Sequence, residues 1–136
     1  EKLKRITRKK ACFKFLSRMN KQELKKEMAT ADLLLSTSFK NTKGWYPVKL
    51  FEYYATGKPI LLVPSDEDVM HSFITNTNSG YICEDVSSCI NTIEELLINK
   101  NNGVVLEMNH NKEYAAKFSR AIQTEILSNL LKETFK

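Results

Sequence analysis

The sequence predicts an α/β domain built on a mainly parallel sheet of about four strands with flanking helices. Three observations carry that expectation. Short apolar runs and longer stripes of helical period alternate at least four times along the 136 residues. The runs are continuous rather than alternating, as in strands covered on both faces. The links between them are short and hold most of the glycines and prolines, so each run–stripe–run unit reads as a strand, a crossover helix and a parallel neighbour.

The elements follow in order. Residues 1–9 read as a short basic helix, and Ala11 to Leu16, with Cys12, Phe13, Phe15 and Leu16, as a first strand. Asn20 and Glu23 have the spacing of a capping box, and Leu24, Met28 and Ala29 mark the stripe of the helix it opens. Leu33-Leu34-Leu35 is a buried strand ending in Ser36-Thr37-Ser38, and Lys40 to Tyr46 is a polar loop with one glycine. Pro47 suits the first turn of a helix, where its missing N–H costs nothing. Leu50, Phe51, Tyr54 and Ala55 then recur at helical spacing until Gly57 and Pro59 stop the pattern. Ile60 to Val63 is the next strand, closed by Pro64.

Asp66-Glu67-Asp68 precedes Val69, Met70, Phe73 and Ile74, and acids there complement a helix dipole, so a helix through about Thr77 is expected. A metal site is the weaker reading of those acids. Gly80 introduces a strand over Tyr81 to Cys83, and Ser87 or Ser88 caps a helix carrying Ile90, Ile93, Leu96 and Leu97. Asn99 to Asn111 has no clear period. Tyr114, Phe118, Ile122, Ile126 and Leu130 form an i, i+4 stripe over five turns of a closing helix.

Composition bounds the function class. With 42% hydrophobic and 27% charged residues the chain reads as one globular domain, residues 1–136, able to bury a core without disulfide or metal. No apolar run approaches the ~18 residues of a membrane span, and residues 1–10 are charged rather than an apolar signal core. Cys12, Cys83 and Cys89 cannot all pair within one chain and lack metal-ligand spacing, which points to a reducing cytoplasm. His71 and His110 are isolated from acids and cysteines in sequence and read as solvated or capping residues.

Charge is uneven. Residues 1–26 hold eleven Lys/Arg against two Glu, while residues 27–136 hold ten against fourteen acids. A basic arm admits nucleic acid or an anionic membrane surface as partner. The arm lacks the interleaved aromatics of a nucleic-acid surface, so a solvated lysine-rich face is the simpler reading and no nucleic-acid partner is expected.

In an open α/β sheet, ligands bind outside the carboxyl ends of the strands. The loop that leaves Leu33–Leu35 runs straight into a helix start. There the N–H groups of Val48, Lys49 and Leu50 are candidate donors to a phosphate, with the charges of Lys43 and Lys49 beside them. Glu52, one turn further, can accept from two adjacent hydroxyls, as a ribose diol presents them. Spacing alone also admits a plain i, i+3 ion pair between Lys49 and Glu52. Trp45 either packs under the sheet or stacks on a sugar.

The string Ala31-Asp32-Leu33-Leu34-Leu35-Ser36-Thr37-Ser38, followed by Pro47-Val48-Lys49-Leu50-Phe51-Glu52-Tyr53-Tyr54-Ala55-Thr56-Gly57-Lys58-Pro59-Ile60, resembles family 4 glycosyltransferases of the GT-B fold. Asn78-Ser79-Gly80-Tyr81-Ile82 is similar to that family's Asn-x-Gly turn into its last strand, and the resemblance covers roughly residues 12–98. It implies a Rossmann-like, nucleotide-sugar-binding carboxyl-terminal domain of a retaining hexosyltransferase, with a nucleotide diphosphate sugar as substrate, no cofactor and no metal. By the same resemblance Glu52 holds the ribose, Val48, Lys49 and Leu50 face the diphosphate, and Lys43, Gly44, Trp45 and Tyr46 lie against the donor sugar. Arg18 and Met19 frame the nucleobase. The acceptor sits on a separate amino-terminal domain.

The resemblance further implies a cytoplasmic enzyme at the inner face of the membrane, acting in cell-surface polysaccharide or glycolipid synthesis. Abundant Asn and Lys hint at an AT-rich, bacterial genome. Two departures stand out. Many members carry a Glu-x₇-Glu motif, yet no acid lies between Asp32 and Glu52, and Lys43 stands near the expected place. Such domains also begin with two strand–helix units that precede the first strand read here. The chain then represents the back two-thirds of a larger domain, inactive on its own, with an exposed edge that invites pairing with a second copy. The alternative class is a non-catalytic α/β binding or regulatory module.

Overall fold

A computed structural model describes residues 12–39 and 42–135. The chain divides into two compact units, residues 1–30 and 31–136. In the first unit the described residues contain one helix, α1 (Lys21–Thr30). The capping box is formed: the Asn20 side chain accepts from the Glu23 N–H at 3.0 Å, and Glu23 accepts from the Asn20 N–H at 2.9 Å.

The strand expected over Ala11 to Leu16 is not formed among the described residues. Cys12 to Leu16 form no strand and are exposed, and Ala11, like the basic helix expected over residues 1–9, lies outside the described residues. An apolar run becomes a strand only where a neighbouring strand completes its hydrogen bonds.

The second unit holds β1 (Leu34–Ser36), α2 (Val48–Tyr54), β2 (Ile60–Leu62), α3 (Val69–Thr77), β3 (Gly80–Ile82), α4 (Val86–Asn101), α5 (Lys112–Ala116) and α6 (Arg120–Thr134). Its sheet has three parallel strands in the order β1-β2-β3, not the four expected. Leu34 lies opposite Ile60, and Ile60 opposite Gly80. β2, between two partners, is buried at all three positions, and β1 stands at an edge with Leu35 exposed.

The core lies against one face of this sheet. Ile60 and Leu62, two apart and so on the same side of β2, pack with Leu50 from α2 and Met70, Phe73 and Ile74 from α3. Phe73 makes edge-to-face contacts with Phe51, Tyr54 and Phe118 at 5.2 to 5.5 Å between ring centres. Gly80 is required by sterics: a Cβ there lies 1.8 Å from the Ile60 carbonyl oxygen.

Three helix boundaries differ from expectation. Pro47 occupies the cap position before α2 rather than its first turn. Asp85, not Ser87 or Ser88, caps α4, accepting from the Ser88 N–H while Ser88 accepts from Asp85 N–H. The closing stripe is split between α5 and α6. Phe118, in the break, turns inward to meet Tyr46, Phe51 and Phe73, and Ser119 caps the new helix by accepting from Ile122 N–H. Burying one aromatic outweighs the hydrogen bonds lost in a single helical break.

Candidate functional site

A cavity of about 200 Å³ opens at the carboxyl end of β1. Leu35, Ser36 and Thr37 form its floor, Phe39 and Trp45 one wall, and Pro47, Lys49 and Tyr53 of α2 the other. The Phe39 and Trp45 rings are tilted against each other, 6.1 Å between centres. No carboxylate lines the cavity. Lys49 has no ion-pair partner among the described residues, so the expected alternative of a Lys49–Glu52 pair is not formed. The cavity therefore presents one cation, several hydroxyls and an aromatic wall.

The start of α2 offers less than its sequence suggests. The Leu50 N–H already donates to the Pro47 carbonyl at 3.0 Å, and the Leu50 side chain is fully buried in the core. Only the Val48 and Lys49 N–H groups remain open among the described residues. Glu52 is half-buried one turn on and does not line the cavity.

The four loop residues Lys43 to Tyr46 are separated by the structure. Lys43 Nζ donates to the Asp66 carbonyl at 3.0 Å, and the Gly44 N–H donates to the Asp68 carboxylate at 2.6 Å. Gly44 adopts φ +68°, a conformation that glycine reaches without strain. Tyr46 points into the core against Phe118, and burial raises its phenol pKa, with Tyr114, Asp68 and Asp66 adding to the rise. Trp45 alone of the four faces the cavity. Arg18 and Met19 belong to the first unit, exposed and half-buried respectively.

That loop is tied to the segment ahead of α3, and the start of α3 is anchored by Asp66, read from sequence only as an acid ahead of a helix. It is buried, and its carboxylate accepts from the N–H groups of Met70 and His71 at 2.9 Å and of Asp68 at 3.2 Å. Burial pushes its pKa up, and these hydrogen bonds outweigh burial and hold it below the ordinary value. Asp68, the residue at the cap position of α3, makes no capping bond of its own. The two histidines are packed rather than solvated. His71 Nδ1 pairs with the Ser65 hydroxyl at 2.9 Å. His110 stacks on Tyr54 at 4.9 Å with Nε2 buried and unpartnered among the described residues, and burial and then Lys112 lower its pKa.

Sequence reasoning missed Phe39, Thr37 and Tyr53 as lining residues. The signal was available in part, since Tyr53 lies four residues from Lys49 on one helix face and Thr37 lies just past a strand's carboxyl end. Among the described residues no group of three or more His, Cys, Asp and Glu could hold a metal ion, and no helix is long and apolar enough to cross a membrane.

Compared with known proteins, the chain matches no family model, no curated protein and no solved structure.

Proposed function

We propose that this chain is the donor-binding part of a glycosyltransferase of the GT-B kind, with a Rossmann-like sheet, that moves a sugar from a nucleotide diphosphate to an acceptor. The observation that supports this reading best is the cavity at the carboxyl end of β1, where the unpaired Lys49 stands among Ser36, Thr37 and the Trp45–Phe39 wall. A cation beside open helix N–H groups suits a diphosphate, and an aromatic wall suits the apolar face of a ring. Ligand pockets commonly reach roughly 300 to 1,000 Å³, so about 200 Å³ takes one part of such a donor rather than all of it. The remainder lies along α2 toward Glu52 and across a cleft to an amino-terminal acceptor domain.

The chemical contribution of this half is positioning and charge stabilisation. Lys49 and the Val48 and Lys49 N–H groups hold the diphosphate as the glycosidic bond breaks and negative charge grows on the leaving oxygen. No catalytic base is assigned. The whole enzyme works in the cytoplasm at the inner face of the membrane, in polysaccharide or glycolipid synthesis.

Titration with UDP, GDP and a nucleotide sugar tests the reading. Removing a charge-assisted contact costs about 1.5–3 kcal/mol, so Lys49→Ala and Glu52→Ala each weaken binding roughly ten- to a hundredfold. Equal affinity in both variants removes the site assignment. A second reading, a non-catalytic α/β binding module, is favoured by α6, which buries none of its residues and leaves Ile126, Leu127 and Leu130 more than half exposed. Sedimentation that reports a stable self-complex, together with no nucleotide binding, selects it.

A further inference from the structure

We propose that Cys83 and Cys89 form a redox-responsive thiol pair, which a peroxide closes into an intrachain disulfide that ties the end of β3 to the first turns of α4. Cys83 follows directly after β3 and is 1% exposed. Its thiol reaches Thr92 Oγ1 at 3.5 Å. Thr92 lies three residues from Cys89, so both occupy one face of α4, and the Cys83 sulfur meets that face. Cys89 is half-buried.

Rigid elements fix the position of each cysteine. The Cys83 N–H donates to the Leu62 carbonyl at 2.9 Å, and its carbonyl accepts from the Ser65 N–H at 3.0 Å. On the other side, the Asp85–Ser88 capping box fixes the start of α4. The sheet edge and the helix cap thus hold the Cys83 sulfur against the face of α4 that carries Cys89.

The chemistry balances with a peroxide as the two-electron oxidant. The more accessible Cys89, as thiolate, attacks one peroxide oxygen, giving a sulfenic acid and, after protonation, water. The Cys83 sulfur then attacks the Cys89 sulfur, the S–S bond forms, and the sulfenic oxygen leaves as a second water. Burial, and then the Cys83 thiol beside it, raise the pKa of Cys89. Closure is accordingly slow near neutrality and faster as pH rises.

The test uses the full chain with Cys12→Ser, which removes the exposed thiol of the first unit. The protein is treated with hydrogen peroxide, denatured, alkylated and cleaved after glutamate, and Glu84 separates the two cysteines in sequence. The expected product has lost two hydrogens and carries residues 68–84 and 85–94 as one disulfide-linked species that dithiothreitol releases. Its formation quickens from about pH 7 to about pH 9.5. Separate peptides, with both cysteines alkylated or with Cys89 over-oxidised, overturn the proposal. Adding Cys89→Ser must abolish the linked species and leave the Cys83 thiol alkylated. A covalent dimer through Cys83 in that variant shows pairing between chains and also overturns it.

Discussion

Helices α3 and α6 both carry a stripe of large apolar side chains, and the two stripes meet opposite fates. In α3, Met70, Phe73 and Ile74 are each 1% exposed, whereas α6 has no buried residue at all. The difference lies in what surrounds each helix. α3 is a crossover between adjacent parallel strands, and short links at both ends press it onto β2 and the aromatic residues of α2. α6 follows the irregular stretch 104–110 and the short α5, and the last inward aromatic of that passage is Phe118, before α6 begins. An amphipathic pattern is therefore a capacity for burial, and connectivity decides whether the capacity is used.

A pair of truncations tests the contrast between the two helices most directly. Phe73→Ala should cost about 3–5 kcal/mol, because it empties the centre of the aromatic cluster. Leu130→Ala should cost less than about 1 kcal/mol. Urea unfolding measures both. A Leu130→Ala cost comparable to that of Phe73→Ala means that α6 is covered in solution, and the contrast between the helices collapses.

A smaller effect sharpens the account of why α3 is so well placed. Asp66→Ala leaves the buried N–H of Met70 and the N–H of His71 without their acceptor and should lose about 1–3 kcal/mol in the same assay. Because the folded carboxyl titrates below its ordinary value of 3.8, the stability it adds is complete above that value. That stability drains as pH falls through the lower, folded value. Stability that is unchanged in Asp66→Ala contradicts its role as the anchor of α3.

The smallest expected effect concerns the stretch leading to α5. Burial and Lys112 hold His110 below its ordinary 6.5, so the unfolded chain takes up its proton first as pH falls. Stability should decline below pH 6.5 and level off once the folded His110 is protonated as well. His110→Gln should remove that slope between pH 7 and pH 5 in urea midpoints, measured at about half-unit steps. An unchanged slope assigns the decline to other groups.

Much of the second unit was legible in the sequence. Leu33–Leu35, Ile60–Val63 and Tyr81–Cys83 announced its three strands and Gly57 a helix end, as the Asn20–Glu23 pair announced a helix start in the first unit, because each of these signals is local. The misreadings involve partners distant in sequence. Cys12 to Leu16 has the composition of a strand and does not form one. The closing stripe is continuous in sequence, yet Phe118 leaves it for a cluster drawn from Tyr46, Phe51 and Phe73. At the cavity, Trp45 and Lys49 were readable as candidates. Lys43 and Gly44 were not readable as anchored residues, since their partners, Asp66 and Asp68, lie more than twenty positions away.

Local signals in the chain suffice for the α/β class, the parallel sheet that alternation implies, and the strand–loop–helix segment that lines the cavity. Periodicity, proline and glycine act within a few residues, and those features need nothing more. Packing between distant segments set the rest among the described residues: a sheet of three strands, an unpaired Lys49 at a cavity while Leu50 and Tyr46 turn into the core, and Cys83 against the face of α4 that carries Cys89. Those outcomes depend on which surfaces the crossovers bring together, and a buried group takes the partner that packing supplies rather than the one nearest in the chain.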